Sequence, residues 1–258
     1  MRNKSLMSLV GLFGIVFLLS SCGGKTPFTN CIDSAVDPLS GGFQAGTGTE
    51  ADPYIICTAE QLNLIGADGA LDLKSYRLEA DIDLSGIKFN IIGTSGISWF
   101  QQGIVGIDEV GFRGVFDGNN KKISNLFILN IDSRLGTGLI GVLGVGGVVK
   151  NLGLENVDIS GKANVGGLAS FNVGVITNCY TTGAVSGTEQ SIGGLVGSNH
   201  DDSTRGSTLY RGAIEHSYSS CDVNGDSTSV AIGGLVGKNN GTIESSYSVG
   251  EVLSLIHI

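Results

Sequence analysis

Two aspartates in the phrase "DIDLSG", Asp81 and Asp83, are spaced to share one face of a strand, where they could act as an acid and base pair or bind a metal ion. The phrase also matches the first half of a calcium-binding loop, D-x-D-x-S-G. Its twelfth position is Ile92, whereas calcium requires a bidentate glutamate there. We therefore expect these carboxylates to lie on an outward, solvated face and to hold no metal.

Two glutamates and a histidine are further candidates for catalytic residues. Glu215 and Glu244 each follow an isoleucine at equivalent places in two similar segments, so stacking of those segments would pair the carboxylates, but no third member is evident. His200 and the three polar residues after it lie in a hydrophilic insertion, where a solvated loop is the ordinary explanation. The chain has no G-x-S-x-G, no H-E-x-x-H and no Cys/His group of zinc spacing. The sequence predicts no catalytic residue, no metal and no cofactor.

The composition is that of a folded, glycine-rich chain. Glycine contributes 42 of 258 residues, more than twice its average share of about 7%, while proline contributes only 3. Without a G-X-Y period, these values exclude collagen and proline-rich disorder. The net charge of -9 provides no basic stripe, so we expect no nucleic-acid partner.

The N-terminus has the features of an export signal. Arg2 and Lys4 precede an apolar run over 6–19, and "LSSC" follows and ends at Cys22. This phrase resembles a bacterial lipobox, which implies thioether lipidation of Cys22 and removal of residues 1–21. An ordinary signal peptide or a membrane anchor are the alternatives, although the run is shorter than the roughly 20 residues that span a bilayer. Gly23 follows in place of the aspartate that resembles an inner-membrane retention signal, so outer-membrane or surface placement is expected.

An exported chain can form disulfides. Cys31 and Cys57 flank a loose segment rich in Gly, Pro, Asp and Thr, and a bridge there would tie an N-terminal arm to the first ordered element. Cys179 and Cys221 lie at non-equivalent positions of neighbouring repeats, so we expect buried free thiols.

The rest of the chain divides by pattern. Residues 22–50 are expected to form a flexible tether, and residues 51–136 an N-terminal cap with the first coils. Thr58 and Gln61 form a capping box that predicts a short helix with Leu62 and Ile65 on one face.

Four repeats follow over residues 137–252. Each contains a leucine in a glycine-rich phrase: Leu139, Leu168, Leu195 and Leu235. The leucines are 29, 27 and 40 residues apart, and the last interval contains an 11-residue insertion around "DDSTRGSTLYR", so the period is 27–29 residues. Short strand-like runs with this period predict a solenoid whose units cannot bury their apolar side alone.

We therefore predict an all-β fold, a parallel β-helix of 27–29-residue coils with a short N-terminal capping helix. The four leucines should form one interior stack. The asparagine four residues after each of the last three, Asn172, Asn199 and Asn239, could form an amide ladder at a corner. Glycine would serve positive φ angles at the corners and close approach between coils.

The phrases "GGLVGSN" and "GGLVGKNNGTIESSYSVGEV" resemble the GLUG motif, which is found in tandem in bacterial surface and secreted proteins, including regions of IgA-peptidase-type proteins. The units at 138 and 166 depart from the motif. With the preceding "GTGTEADPYIICTAEQLNLIG", the resemblance covers about residues 46–252. It implies a fold and a surface location, and it implies no activity because the motif is itself structural.

The last six residues, "LSLIHI" over 253–258, break the repeat and match one reading frame of a common sequencing adapter. We expect read-through from sequence assembly, in which case the natural protein continues. The alternative is a genuine apolar last strand.

Two classes of function fit these features. The first is a non-enzymatic cell-surface lipoprotein, held in the membrane through Cys22, whose β-helix serves adhesion to a host or environmental glycan or protein, or displays a ligand. Its expected contacts are Arg205, Tyr210 and Arg211 in the insertion, because solenoid insertions gather on one face and Arg and Tyr are frequent interface anchors. The second is a polysaccharide-active β-helix enzyme. A third interpretation makes this region the stalk of a longer surface protease or hydrolase.

Overall fold

The computed structural model describes residue 31 and residues 40–94, 110–130, 136–201 and 211–254. This part of the chain is dominated by short strands in parallel sheets, with one α-helix and one 3-10 helix. None of its helices is long and apolar enough to cross a bilayer. The all-β prediction is confirmed at this level.

The N-terminal part combines the two helices with the first strands. The strands are β1 (Tyr54–Ile56), β2 (Tyr76–Leu78), β3 (Ile82–Asp83), β4 (Val115–Ser124) and β5 (Phe127–Leu129), and the helices are α1 (Ala59–Ile65) and a 3-10 helix (Gly69–Leu73). Helix α1 begins as the capping residues predict, because the Thr58 hydroxyl accepts from the Gln61 backbone N–H at 3.3 Å. The Gln61 side chain accepts from the backbone N–H of Cys57 at 2.7 Å.

The repeats supply the remaining strands. They are β6 (Ile140–Leu143), β7 (Val148–Gly161), β8 (Val165–Gly166), β9 (Ala169–Asn172), β10 (Val175–Thr177), β11 (Tyr180–Gly187), β12 (Ile192–Gly193), β13 (Val196–Asn199), β14 (Ala213–Glu215), β15 (Tyr218–Gly225), β16 (Ile232–Gly233), β17 (Val236–Asn239), β18 (Thr242–Glu244), β19 (Tyr247–Ser248) and β20 (Val252–Ser254). Leu253 and Ser254, the first two of the last six residues, belong to β20, and residues 255–258 lie outside the described part.

Three sheets hold these strands together. The largest has thirteen strands, with the path β1-β2-β4-β7-β10-β14-β18. A second sheet runs β8-β12-β16, and a third runs β6-β9-β13-β17. The pairs between these strands are parallel, and equivalent residues of successive repeats face each other, as in Ala169, Val196 and Val236. Each of the last three repeats thus adds strands to all three sheets.

One apolar cluster fills the space between the sheets. Leu139, Leu168 and Leu195 are fully buried in it, and Leu235 in the last repeat is half-buried. Their backbones are linked, because the N–H of Leu168 donates to the carbonyl of Leu195 and that of Leu195 to Leu235, each at 2.9 Å. Each repeat therefore places its leucine beside the leucine of the next.

At several turns that directly follow a strand, the residue with positive φ is not the glycine that the sequence predicts. The residues with positive φ directly after β10, β14 and β18 are Asn178, His216 and Ser245, with φ of 52°, 47° and 48°, and Asn151 in β7 has a φ of 54°. The motif glycines of the repeats instead allow close approach. A Cβ on Gly194 would lie 2.1 Å from the Ser219 hydroxyl oxygen and 2.3 Å from the Gly234 carbonyl oxygen. At Gly194, glycine is required because the neighbouring atoms leave no room for a side chain. At the turns after β10, β14 and β18, asparagine, histidine or serine adopts the left-handed conformation instead.

Candidate functional site

A row of polar side chains crosses the outer face of the largest sheet, with one residue on each of six of its thirteen strands. We call this row the outer column. Its members are paired neighbours: Arg77 on β2, Asp117 on β4, Lys150 on β7, Thr177 on β10, Glu215 on β14 and Glu244 on β18. The preceding residue on each of the last five strands is apolar, and four of those five are fully buried, so the column faces outward. Parallel pairing spaces its members about 4.8 Å apart.

The glutamate pair lies at one end of this column. Glu215 and Glu244 are direct neighbours, as the repeat alignment predicts, with Glu215 half-buried and Glu244 exposed. The next member beside Glu215 is Thr177 rather than a third carboxylate. The two glutamates thus form a pair of adjacent carboxylates. The column does not place beside them a third carboxylate that would complete a catalytic group.

Asp81 and Asp83 are both exposed and serve local structure. One Asp83 carboxylate oxygen accepts from Asn125 Nδ2 at 2.8 Å and from the Ser85 hydroxyl at 2.7 Å, and these hydrogen bonds lower the pKa of Asp83. Asp81 accepts from the backbone N–H of Lys122 at 3.0 Å. Over the described ranges, no group of three or more His, Cys, Asp or Glu side chains could hold a metal ion.

The insertion is only partly described. Arg211 is exposed and forms a two-contact ion pair with Asp201, with Nε and Nη2 at 3.0 and 2.8 Å from the same carboxylate oxygen. The other two predicted contacts, Arg205 and Tyr210, lie outside the described residues. The His200 ring lies beside Phe171, with centroids 5.0 Å apart.

Three tyrosines form a stack along the outer face of the same sheet. Tyr180, Tyr218 and Tyr247 are strand neighbours with rings 6° from parallel and centroids 5.1 and 5.2 Å apart. At one end, Gly153 leaves room for the first ring, since a Cβ there would lie 2.4 Å from Tyr180 Cζ. The equal spacing of these tyrosines within the repeats was the sequence signal for this stack.

The first tyrosine is held by an ion pair. Glu155 accepts from Lys122 Nζ and from the Tyr180 hydroxyl, each at 2.9 Å. The hydrogen bond from Lys122 and then that from Tyr180 lower the pKa of Glu155. Burial, followed by the bond to Glu155, raises the pKa of Tyr180 to about 12. The tyrosine therefore stays neutral, and the contact is fixed near neutral pH.

An asparagine ladder runs along one corner. Asn172 Nδ2 donates to Asn199 Oδ1, and Asn199 Nδ2 donates to Asn239 Oδ1, each at 2.8 Å. Asn172 and Asn199 are fully buried and Asn239 is exposed. The Asn172 and Asn199 amides are therefore satisfied inside the fold and are not available to a ligand.

The cysteines divide into two kinds. A disulfide joins Cys31 and Cys57, whose Cα atoms are 5.5 Å apart. Cys179 and Cys221 are free and buried, as the sequence predicts. Burial raises the pKa of the Cys179 thiol to about 12 and also raises that of Cys221. Neither thiol has the lowered pKa of a nucleophile. Cys22, the predicted lipid attachment site, lies outside the described residues.

Parts of the chain are similar to parts of much longer known proteins. The chain matches no protein-family model. It is 35% identical over 159 residues to Halomucin of Haloquadratum walsbyi, an alignment that covers 62% of this chain and 2% of that protein. It is 34% identical over 143 residues to a candidate Gly-rich membrane protein of Evansella cellulosilytica, covering 53% of this chain and 15% of that one.

The chain is also 38% identical over 95 residues to an immunoglobulin A1 protease of Streptococcus sanguinis, covering 36% of this chain and 5% of that protein. These alignments thus span between 2% and 15% of the length of the curated relatives. A crystal structure of a candidate immunoglobulin A1 protease from Bacteroides ovatus superposes with a TM-score of 0.58 at 20% identity, covering 83% of this chain and 81% of that one. At this identity the match establishes a common fold and nothing about activity.

Proposed function

We propose that this chain is a non-enzymatic surface module: a parallel β-helix of GLUG-type repeats, tethered to the membrane through a lipidated Cys22, that displays its outer face for adhesion. The observation that carries this proposal is the pattern of similarity. The same kind of segment recurs as 2%, 15% and 5% of three proteins with different names. A segment reused in this way is typical of a structural or binding unit.

The strand register supports the β-helix part of the proposal. Each of the last three repeats contributes strands to all three sheets, and equivalent residues pair from one repeat to the next. Helix α1 then serves as a cap on the first repeats, with Leu62 and Ile65 packed into the common core. Residues 1–21 serve as the export signal and residues 22–50 as the tether.

The name of one relative supports the surface location. The Evansella cellulosilytica relative is called a membrane protein, and the lipobox-like "LSSC" ending at Cys22 provides a means of attachment. The membrane is therefore one partner of this chain. The second partner is a glycan or protein outside the cell, contacted through Arg205, Tyr210 and Arg211.

Anchoring is tested by expressing the full chain in a Gram-negative host with radiolabelled palmitate. We expect label on the wild type, none on Cys22→Ala, and degradation of the wild type by proteinase K added to intact cells. An unlabelled wild type would exclude lipidation, and protection from the protease would exclude surface exposure.

Adhesion is tested on a glycan and matrix-protein array with the purified wild type and a variant lacking residues 202–210. The proposal expects binding by the wild type that is removed when the deletion is combined with Arg211→Ala, the third expected contact. Unchanged binding by this combined variant would reject the insertion as the contact.

The immunoglobulin A1 protease relatives favour a second candidate, the non-catalytic stalk of a surface protease. The similarity to the Streptococcus sanguinis protein covers only 5% of it. Incubation of this chain with immunoglobulin A1 should then leave the antibody intact. Specific cleavage would show that the chain has its own peptidase centre.

A further inference from the structure

A small polar cavity opens on the outer face near the N-terminal end of the large sheet. Its volume is about 180 Å³. Strands β2, β4 and β7 form its floor through Arg77, Asp117 and Lys150, which are the first three members of the outer column. The segment that contains Glu50 and Pro53 forms another wall. The cavity is separate from the insertion and from the glutamate pair.

The carboxylate at the centre of this floor is held in place. Asp117 Oδ1 accepts from the backbone N–H of Asn119 at 2.9 Å and from Asn151 Nδ2 at 3.1 Å. Its other oxygen, Oδ2, lies 3.5 Å from Lys150 Nζ. Because Oδ1 is already used twice, Oδ2 is the oxygen that can accept from a ligand.

Lys150 and Arg77, the two cations beside Asp117, have hydrogen-bond donors that their ion pairs leave unused. Lys150 Nζ has three donors, and its contact with Asp117 is longer than an ordinary charged hydrogen bond of about 2.7–2.9 Å. Arg77 uses Nη2 in an ion pair with Glu79 at 2.5 Å, its partly exposed guanidinium group borders the cavity, and its buried Nε has no hydrogen-bond partner among the residues that the structure describes. Donors of this kind fit a carboxylate, and Asp117 and Glu50 offer acceptors for hydroxyl groups.

From this arrangement we infer that the cavity binds a single carboxylated sugar, a hexuronate, with its carboxylate on Lys150 and Arg77 and its hydroxyl groups on Asp117 and Glu50. The size agrees, because the cavity is well below the roughly 300–1,000 Å³ of pockets for drug-sized ligands. Alternating donors and acceptors on the floor match the several hydroxyl groups of a sugar ring. This inference goes beyond the display role and does not depend on surface placement or on the insertion.

The test is a protein-detected NMR titration of the full mature chain with sodium glucuronate, glucose and sodium acetate. We expect saturable shifts of residues around the cavity with glucuronate, and at least about tenfold weaker binding of glucose, since a charged hydrogen bond contributes about 1.5–3 kcal/mol. Acetate should also bind at least about tenfold more weakly, because it lacks the hydroxyl groups that Asp117 and Glu50 would accept from.

Lys150→Met removes the ammonium group and keeps the length of the side chain. It should weaken glucuronate binding at least about tenfold, whereas Lys150→Arg should retain most of the affinity. Lys122→Met is the matched control, because Lys122, on β4, is likewise a lysine in an ion pair but lies outside the cavity. It should leave the affinity within about twofold, because Lys122 does not touch the ligand.

Several results would overturn the inference. Absence of saturable glucuronate shifts would remove the site. If glucose bound as tightly as glucuronate, the cavity would not recognise the carboxylate. If acetate bound as tightly as glucuronate, the cavity would bind anions without recognising a sugar. Unchanged binding by Lys150→Met, in a variant with the melting temperature of the wild type, would remove Lys150 from the contact.

Discussion

Asn172 and Asn199 are joined through their side chains: Nδ2 of the first lies 2.8 Å from Oδ1 of the second, although 27 residues separate them in the chain. Asn199 repeats the same contact with Asn239. Buried amides that satisfy one another in this direction fix the alignment of successive repeats, because a shifted alignment would leave them unpaired. The ladder therefore stabilises the corner and specifies its register.

Asn199→Ala should destabilise the protein far more than Asn239→Ala. Asn199 is fully buried, and its loss leaves Asn172 Nδ2 with only a 3.4 Å contact to the Ala213 carbonyl and leaves Asn239 without its side-chain donor. We expect a decrease of about 2–3 kcal/mol in the free energy of unfolding, and less than about 1 kcal/mol for the exposed Asn239. Urea titration followed by circular dichroism measures both. Equal losses would show that the ladder does not depend on burial.

Gly194→Ala should cost more than Gly146→Ala, although only Gly146 has a positive φ. The new Cβ at Gly194 would meet the Gly234 carbonyl oxygen at 2.3 Å, whereas a Cβ at Gly146, with a φ of 79°, would meet no atom of the described residues within 4 Å. We expect losses of about 3 kcal/mol from overpacking and about 1 kcal/mol from backbone strain. The reverse order in thermal or urea unfolding would contradict the close-approach explanation of the motif glycines.

The thiols of Cys179 and Cys221 should not react with a thiol reagent at pH 8 while the protein is folded. Both are buried, and burial raises the pKa of Cys179 to about 12. Ellman's reagent applied to a Cys22→Ser chain should detect no thiol in buffer and both thiols in guanidinium chloride. Rapid labelling of the folded chain would show that the core opens.

The raised pKa of Cys179 also predicts that the protein loses stability at alkaline pH. A raised pKa in the folded state favours folding below the ordinary cysteine pKa of about 8.5, and this contribution is lost as pH rises towards about 12. Cys179→Ala should therefore lose less stability than the wild type between pH 8 and pH 11. Parallel losses in urea titrations at these two pH values would show that this thiol does not contribute.

Acid should weaken the contact that holds the tyrosine stack. The pKa of Glu155 is lowered by its bonds from Lys122 and Tyr180, so its contribution is present above the ordinary glutamate pKa of about 4.3 and is lost as pH falls through the lowered value. Glu155→Gln should therefore show a smaller fall in melting temperature than the wild type between pH 6 and pH 3. A larger fall in the variant would contradict this role.

Much of the fold could be predicted from the spacing of a few residues. Leu168, Leu195 and Leu235 gave the alignment of the repeats, and the strands pair with the same intervals once the insertion is allowed for. Thr58 and Gln61 gave the start of helix α1. These features were predictable because periodic burial and capping are local or repeated patterns.

The cavity was not predictable in the same way. Arg77, Asp117 and Lys150 belong to segments with no common motif, and only the register of β2, β4 and β7 brings them together. The role of glycine at the corners was predicted only in part. Gly146 has a φ of 79°, as expected, but Asn151 and Asn178 also have positive φ, because asparagine tolerates it well enough to take the role assigned to glycine.

The most direct test of the account is disulfide trapping between Glu215→Cys and Glu244→Cys, which are paired neighbours on β14 and β18. Neighbouring parallel strands place their Cα atoms about 4.8 Å apart, within the range of about 4.4–6.8 Å that a disulfide requires. The control pair, Glu215→Cys with Thr242→Cys, is displaced by two residues along β18 and exceeds about 7 Å. Mass spectrometry after mild oxidation should find the first bridge and not the second. A bridge only in the control, or in neither pair, would contradict the in-register stacking of the repeats.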